Sequence, residues 1–248
     1  MRWSYVKQKK FMLATDLDGT LVGNEEGLAD LLAYYEGAPY EVALVYVTGR
    51  HLDSARSVIK EVSLPNPDLL ITDVGTAIYH HDGEDSEWKQ KMNEHWLPDR
   101  IAELAADFPE LKRQQLPNDC RVSYTVDSNP SAAGKFKKRL ELEEIPHKFI
   151  FSSNRDIDVL PLSSGKGRAL KYVIEHYAAS DVQMLIAGDS GNDIDMLSLG
   201  HPAVIVGNAQ SELLDMDDHP NLYRAKTHCA AGIHEAWLHF YDKKDKHA

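Results

Sequence analysis

Three short apolar, β-branched runs in this chain each end abruptly in a cluster of acidic, hydroxyl or glycine residues. Phe11–Thr15 runs into Asp16-Leu17-Asp18-Gly19-Thr20. Val42–Thr48 runs into Gly49-Arg50, and Met184–Ala187 into Gly188-Asp189-Ser190-Gly191-Asn192-Asp193. Short continuous apolar runs of this kind suit strands buried on both faces, as in a parallel sheet. Leu69–Asp73 and Ala203–Val206 have the same character. Helical patterns lie between the runs: Gly27–Tyr35 after the first, Leu52–Val62 after the second, and Lys166–Ala178 before Met184–Ala187. Strands alternating with helices predict a doubly wound α/β fold. Such folds bind ligands beyond the carboxyl ends of their strands, where the three polar clusters fall.

The middle of the chain reads differently. Between Tyr79 and about Leu160, amphipathic helices at Trp88–His95, Arg100–Phe108 and Lys135–Glu144 accompany strand-like runs at Arg121–Val126 and Lys148–Ser152. This pattern predicts an α+β insert, an antiparallel sheet with helices on one face. The expected division is a core of residues 1–78 and 161–248 and an inserted domain of residues 79–160. Trp88 and Trp96 read as core side chains, and Asp242–Ala248 as a frayed charged tail.

Charge narrows the function. Of 248 residues, 27 are Lys or Arg and 39 are Asp or Glu, a formal net charge of -12. Binding nucleic acid needs a basic face, and docking on an anionic membrane needs basic residues, so neither partner is expected. No run of 18 apolar residues marks a membrane span. The apolar stretch after Lys10 is interrupted at Thr15 and Asp16, too early for a signal-peptide core, so a cytoplasmic address is expected. Cys120 and Cys229 read as free thiols.

The clusters carry the chemistry. Asp16 and Asp18 at the end of an apolar strand are costly if buried unpaired, and a hard cation such as Mg2+ relieves that cost. A turn with solvated acids is the alternative. A calcium-binding EF-hand loop is disfavoured, because Leu21 stands where such a loop needs Gly and residue 27 is not Glu. Asp189 and Asp193 are four residues apart and share a face if a helix starts there. They suit either a metal or a helix N-terminus. Thr48, Gly49 and Arg50 make an anion site or an ordinary helix cap. Lys166, at the start of a helix after Ser163-Ser164-Gly165, suits a phosphate or solvent. It is not a P-loop lysine, since residue 160 is Leu where that motif has Gly. Taken together, four acids, a hydroxyl and a lysine at strand ends describe metal-assisted phosphoryl transfer.

These motifs, in this order, resemble the haloacid dehalogenase superfamily of phosphotransferases: Asp16-Leu17-Asp18-Gly19-Thr20, Thr48, Lys166 and Gly188-Asp189-Ser190-Gly191-Asn192-Asp193. The resemblance implies a Rossmann-like doubly wound core with a cap. Thr48 to Lys166 is the only interval long enough for a large insert, which is similar to the α/β-capped subgroup. Asp73-Val74-Gly75-Thr76, Glu94-His95-Trp96, Arg121-Val122-Ser123-Tyr124, the stretch from Ser152 to Pro161 and Asn208-Ala209-Gln210 resemble the sucrose-phosphate phosphatases. Gly19 departs from that pattern, which often has Asn or His there.

The resemblance implies Asp16 as nucleophile and Asp18 as general acid and base. It implies Mg2+ held by Asp16, Asp18 (through its carbonyl) and Asp189, with Asp193 as a further ligand or as a residue behind the ligands, and phosphate held by Thr48, Gly49, Arg50, Lys166 and Asn192. Arg121, Ser123, Ser153, Asn154, Asp156 and Asp158 are the candidates for reading the sugar, with strand polarity on a solvated face as their alternative. The expected substrate is sucrose 6-phosphate. Mannosylfructose phosphate, another sugar phosphate, a phosphomutase reaction, and a non-catalytic module that binds sugar phosphate or a sugar-phosphate synthase stay open.

Overall fold

A computed structural model describes residues 6–127 and 130–242; the charged tail expected to fray lies outside them, apart from Asp242. The elements in chain order are β1 (Phe11–Thr15), α1 (Glu25–Gly37), β2 (Val42–Val47), α2 (Leu52–Glu61), β3 (Leu69–Thr72), β4 (Ala77–His80), β5 (Gly83–Glu84) and α3 (Ser86–Asn93). Then come α4 (Pro98–Ala105), β6 (Leu111–Arg113), β7 (Val122–Val126), α5 (Pro130–Leu142), β8 (Lys148–Ser152) and β9 (Asp156–Leu160). The chain continues with α6 (Lys166–Tyr177), β10 (Gln183–Gly188), α7 (Ile194–Leu197), β11 (Ala203–Ile205), α8 (Ser211–Leu214), β12 (Leu222–Arg224) and α9 (Ala230–Tyr241).

The strands form an eight-stranded sheet in the order β12-β11-β10-β1-β2-β3-β4-β5. It is parallel from β12 to β3, with β4 and β5 added antiparallel at one edge. Side chains alternate across it as the period of two requires. Met12, Ala14, Val45, Val47 and Ile186 share one apolar cluster with Leu170 and Val173 of α6 and Leu197 of α7. Leu13, Tyr46, Leu185 and Ala187 share the opposite cluster with Leu31 of α1, Ile59 of α2 and Trp237 of α9. The α/β doubly wound architecture follows from this two-sided burial. Helix starts are fixed locally: the Asn24 side chain accepts from the Gly27 amide at 3.0 Å, and Asp85 from the Trp88 amide at 2.8 Å.

A second, four-stranded antiparallel sheet has the order β6-β7-β9-β8. Val122, Tyr124, Val126, Ile157 and Val159 pack on one side of it with Ile101 and Leu104 of α4 and Phe136 and Leu140 of α5. The alternate residues form the other face. Where the sequence placed the start of the insert, at Tyr79, the chain is still in the large sheet. Tyr79 lies in β4, and Trp88 and Met92 of α3 are buried in the large sheet's cluster. The hairpin partners of β3 are short and polar-flanked, which hid them from the periodicity. Trp88 is core, as expected; Trp96 is half-buried against the small sheet's cluster, its indole donating to the Asp119 carbonyl at 2.6 Å. Cys120 and Cys229 are free thiols. Among the described residues, no helix is long and apolar enough to cross a membrane.

Candidate active site

The ends of β1, β2 and β10 and the start of α6 meet at one place, because adjacent parallel strands carry their following loops to the same edge. β1 lies between β10 and β2, so Asp16, Thr48 and Asp189 follow three neighbouring strands. Gly165 turns the chain into α6 with φ +115°, and a Cβ there would lie 2.1 Å from the Lys148 ammonium nitrogen. Glycine is the residue that this φ accommodates.

Lys166 is 1% exposed and donates to Asp16 Oδ1 and to Asp193 Oδ1, both at 2.7 Å. Asp193 Oδ2 accepts from the amides of Asp189, at 3.0 Å, and Ser190, at 3.1 Å. Asp189 Oδ1 accepts from the Thr20 hydroxyl at 2.8 Å. Carboxylate oxygens of Asp16, Asp189 and Asp193 lie within 4.8 Å of one another, all three residues buried. One lysine does not balance three buried acids. Burial, with Asp193 and Asp189 adding to it and Lys166 opposing, pushes the Asp16 carboxyl up to about 8. Burial and then Asp193 push Asp189 up to about 6. A hard divalent cation fits this all-oxygen donor set and would offset the excess negative charge. Asp16 Oδ2 and Asp189 Oδ2 accept no hydrogen bond from the described residues, whereas both Asp193 oxygens are engaged in orienting Lys166 and the loop.

Thr48 is fully buried, and its hydroxyl oxygen accepts from the Arg50 amide at 3.1 Å. Asn192 faces Gly49: a Cβ on Gly49 would stand 4.0 Å from Asn192 Nδ2. Arg50 differs from its expected phosphate role. Its guanidinium grips Asp18 through Nε to Oδ2 at 2.6 Å and Nη2 to Oδ1 at 2.7 Å, and donates to Ser54 at 2.8 Å. The pair is half open to solvent, and it occupies the Asp18 carboxylate, which stays outside the buried acid cluster.

The expected sugar readers divide into two sets. Arg121, Ser123 and Asp158 form a buried network on the open face of the small sheet. Arg121 Nη1 and the Ser123 hydroxyl both donate to Asp158 Oδ1 at 2.5 Å. Arg121 also crosses to the large sheet's loops, donating from Nη2 to the Gly49 carbonyl at 2.8 Å and from Nε to Asp73 Oδ1 at 3.3 Å. Burial alone would lower the Arg121 pKa, but Asp158 and Asp73 outweigh it and raise it. Asp73 and Val74 hold positive φ of 51° and 57° in this connection. Asp156 is half-buried and accepts weakly from Gln114 at 3.4 Å. Ser153 and Asn154 form the exposed left-handed turn between β8 and β9, and the Ser153 amide donates to Glu212 at 2.7 Å.

Lys148, Glu212 and Asn208 also bear on the site, without having been picked out singly in the sequence. Lys148 of β8 donates to Asp195 of α7 at 2.5 Å, a second tie between the sheets. Its alternation with Phe149 and Phe151, which pack toward the helices, was the available signal. Glu212 offered none, because its partner is a backbone amide 59 residues away.

A family model described as sucrose-6F-phosphate phosphohydrolase matches residues 9–241. The chain is 33% identical to sucrose-phosphatase 1 of Nicotiana tabacum over 93% of its own length and 59% of that protein's. It is 28% identical to the mannosylfructose-phosphate phosphatase of Agrobacterium fabrum, over 92% of this chain and 96% of that one. The sucrose-phosphatase structure from Synechocystis sp. PCC6803, in complex with sucrose and phosphate, superposes with a TM-score of 0.88 at 38% identity, covering 94% of this chain and 98% of that chain. The chain thus spans about three fifths of the length of the plant sucrose-phosphatases it matches. On the extent of the family-model match, the chain belongs to the sucrose-6F-phosphate phosphohydrolase family.

Proposed function

We propose that this protein hydrolyses sucrose 6-phosphate to sucrose and phosphate, with Asp16 as nucleophile and Asp18 as general acid and base. The observation that carries the reading is the buried Asp16–Lys166–Asp193 unit beside Asp189, set under the polar face of the small sheet. In the family resemblance that sheet is the cap.

One Asp16 carboxylate oxygen forms a bond to phosphorus as the bond from phosphorus to the sugar oxygen breaks. Asp18 gives its proton to that leaving oxygen. In the second step, water loses a proton to Asp18 and attacks phosphorus, releasing phosphate and restoring the Asp16 carboxylate. Asp18 must leave Arg50 and take up a proton from water before the first step, because the guanidinium holds both oxygens of the ionised carboxylate in the resting structure; the second step leaves it protonated again. Lys166, Thr48 and Asn192 would hold the phosphate, concentrating positive charge and donors in a protein of net charge -12. Asp16 and Asp189 would hold Mg2+, with Asp193 orienting Lys166 beside it. Bound there, Mg2+ would neutralise phosphate charge and favour ionised Asp16.

Two partner readings have specific support. Mannosylfructose phosphate is the alternative substrate, since the phosphatase of that name matches over nearly its full length. A sugar-phosphate synthase is the candidate protein partner: the chain is 33% identical to 30% of the length of a glucosylglycerol-phosphate synthase, so a chain of this kind occurs within a synthase. Phosphate release with Mg2+ from sucrose 6-phosphate, mannosylfructose phosphate and simple hexose phosphates tests the substrate. The highest kcat/KM is expected on sucrose 6-phosphate, and EDTA is expected to stop release. Equal or better turnover of the hexose phosphates, or indifference to chelation, would contradict it.

A further inference from the structure

The turn after β11 reaches both loops of the acid cluster. The Gln210 amide donates to the Asp189 carbonyl at 2.7 Å. Asn208, two residues earlier, divides its amide between two backbone groups: Nδ2 donates to the Gly19 carbonyl at 2.7 Å, and Oδ1 accepts from the Cys229 amide at 2.8 Å. Both bonds link segments far apart in sequence, so the side chain acts as a strut and not as a local turn former.

Each end of the strut is a constrained piece of backbone. Gly19 has φ +76°, and a Cβ there would fall 2.7 Å from Asp189 Oδ2, so Gly19 itself lies directly against the acid cluster. Cys229 caps α9 with φ 52° and ψ -135°, a conformation rare for a residue with a side chain. It is held by its surroundings. The Cys229 carbonyl accepts from the amides of Gly232 and Ile233, and the Thr227 carbonyl accepts from the Gly207 amide at 2.8 Å. Glu235 accepts from the Lys226 and Thr227 amides. The anchored end is therefore α9 and its preceding loop, and the end being positioned is the Gly19–Thr20 peptide, directly after Asp18.

We propose that Asn208 is a positioning residue for Asp18, fixing the Gly19–Thr20 peptide, and through Gly19 the backbone of Asp18, so that the Asp18 carboxyl, once off Arg50, meets the leaving oxygen. The inference rests on Asp18 acting as general acid. Its signature is dependence on the leaving group: an alkoxide leaving from a sugar needs the proton, and a nitrophenolate does not. The value of kcat/KM reports the first, ester-cleaving step for both esters.

The test compares wild type, Asn208→Ala, Asn208→Asp and Asp18→Asn, each with Mg2+, on sucrose 6-phosphate and p-nitrophenyl phosphate, with a urea unfolding curve for each. Asn208→Asp keeps the acceptor for Cys229 and removes the donor to Gly19, so it serves if Asn208→Ala fails to fold. For both Asn208 variants, kcat/KM on the sugar ester is expected to fall about tenfold more than on the aryl ester, since small misplacements of a catalytic group are costly. Equal losses on the two esters, with or without a drop in stability, would reduce Asn208 to a structural residue and overturn the inference. Asp18→Asn separates the two claims. If it too affects both esters equally, the acid role of Asp18 fails and the inference fails with it. If Asp18→Asn alone is selective, only the inference fails.

Discussion

The Lys166 ammonium donates to an Asp16 carboxylate oxygen at 2.7 Å across 150 residues of chain. It has no exit to water, and Asp193 holds it from the other side at the same distance. The lysine is therefore part of the electrostatic balance of the core as well as of the proposed phosphate site. Replacing one partner of a buried ionic group leaves the others uncompensated, which typically costs about 3–5 kcal/mol. Lys166→Met is expected to lose stability in that range by urea unfolding, and to lose phosphate release. A variant as stable as wild type would show that the acids do not depend on this lysine.

Arg121 spends all three guanidinium nitrogens on protein acceptors, on Asp158, Asp73 and the Gly49 carbonyl. Its role in sugar recognition would run through the placement of the small sheet over Gly49 and Asp73. A lysine has one nitrogen and cannot span the three acceptors. Arg121→Lys is expected to reduce kcat/KM on a disaccharide phosphate more than on p-nitrophenyl phosphate, by about tenfold in the ratio. Equal losses would argue against any coupling of this contact to sugar recognition.

Glu235 gives a pH dependence from outside the acid cluster. Burial disfavours its ionised form, but the Thr227 hydroxyl and amide, the Tyr223 hydroxyl and the Lys226 amide outweigh that and hold its carboxyl down to about 2, from an ordinary 4.5. A depressed carboxyl contributes stability that is fully present above about 4.5 and is lost as pH falls toward about 2. Glu235→Gln is expected to lower the urea midpoint at pH 7 and to narrow that gap at pH 3. A gap that stays constant would remove the ionised carboxylate from the account.

What could be read from the sequence was local. β1, β2 and β10 were legible because each is a buried run that stops at a polar cluster, and adjacent parallel strands bring such stops together. The Asp16, Asp18, Asp189 and Asp193 spacings, with Lys166 at a helix start, then suggested a phosphoryl-transfer site whose residues the structure brings to one edge. Long-range pairings were not legible. Arg50 sits beside Thr48 and Gly49 in sequence, yet its guanidinium turns to Asp18, 32 residues away. Arg121 finds Asp73 48 residues away, and Asn208 finds Gly19 across 189. The strands β4, β5 and β6 are too short for a period of two to register.

Phosphate release from sucrose 6-phosphate by Asp16→Asn, beside wild type with Mg2+, tests the central claim most directly. The variant keeps the shape of the side chain and removes its nucleophilic oxygen, so release is expected to fall at least about a thousandfold while the far-UV spectrum is retained. A folded variant that still turns over within about tenfold of wild type would contradict attack by Asp16, and with it the proposed mechanism.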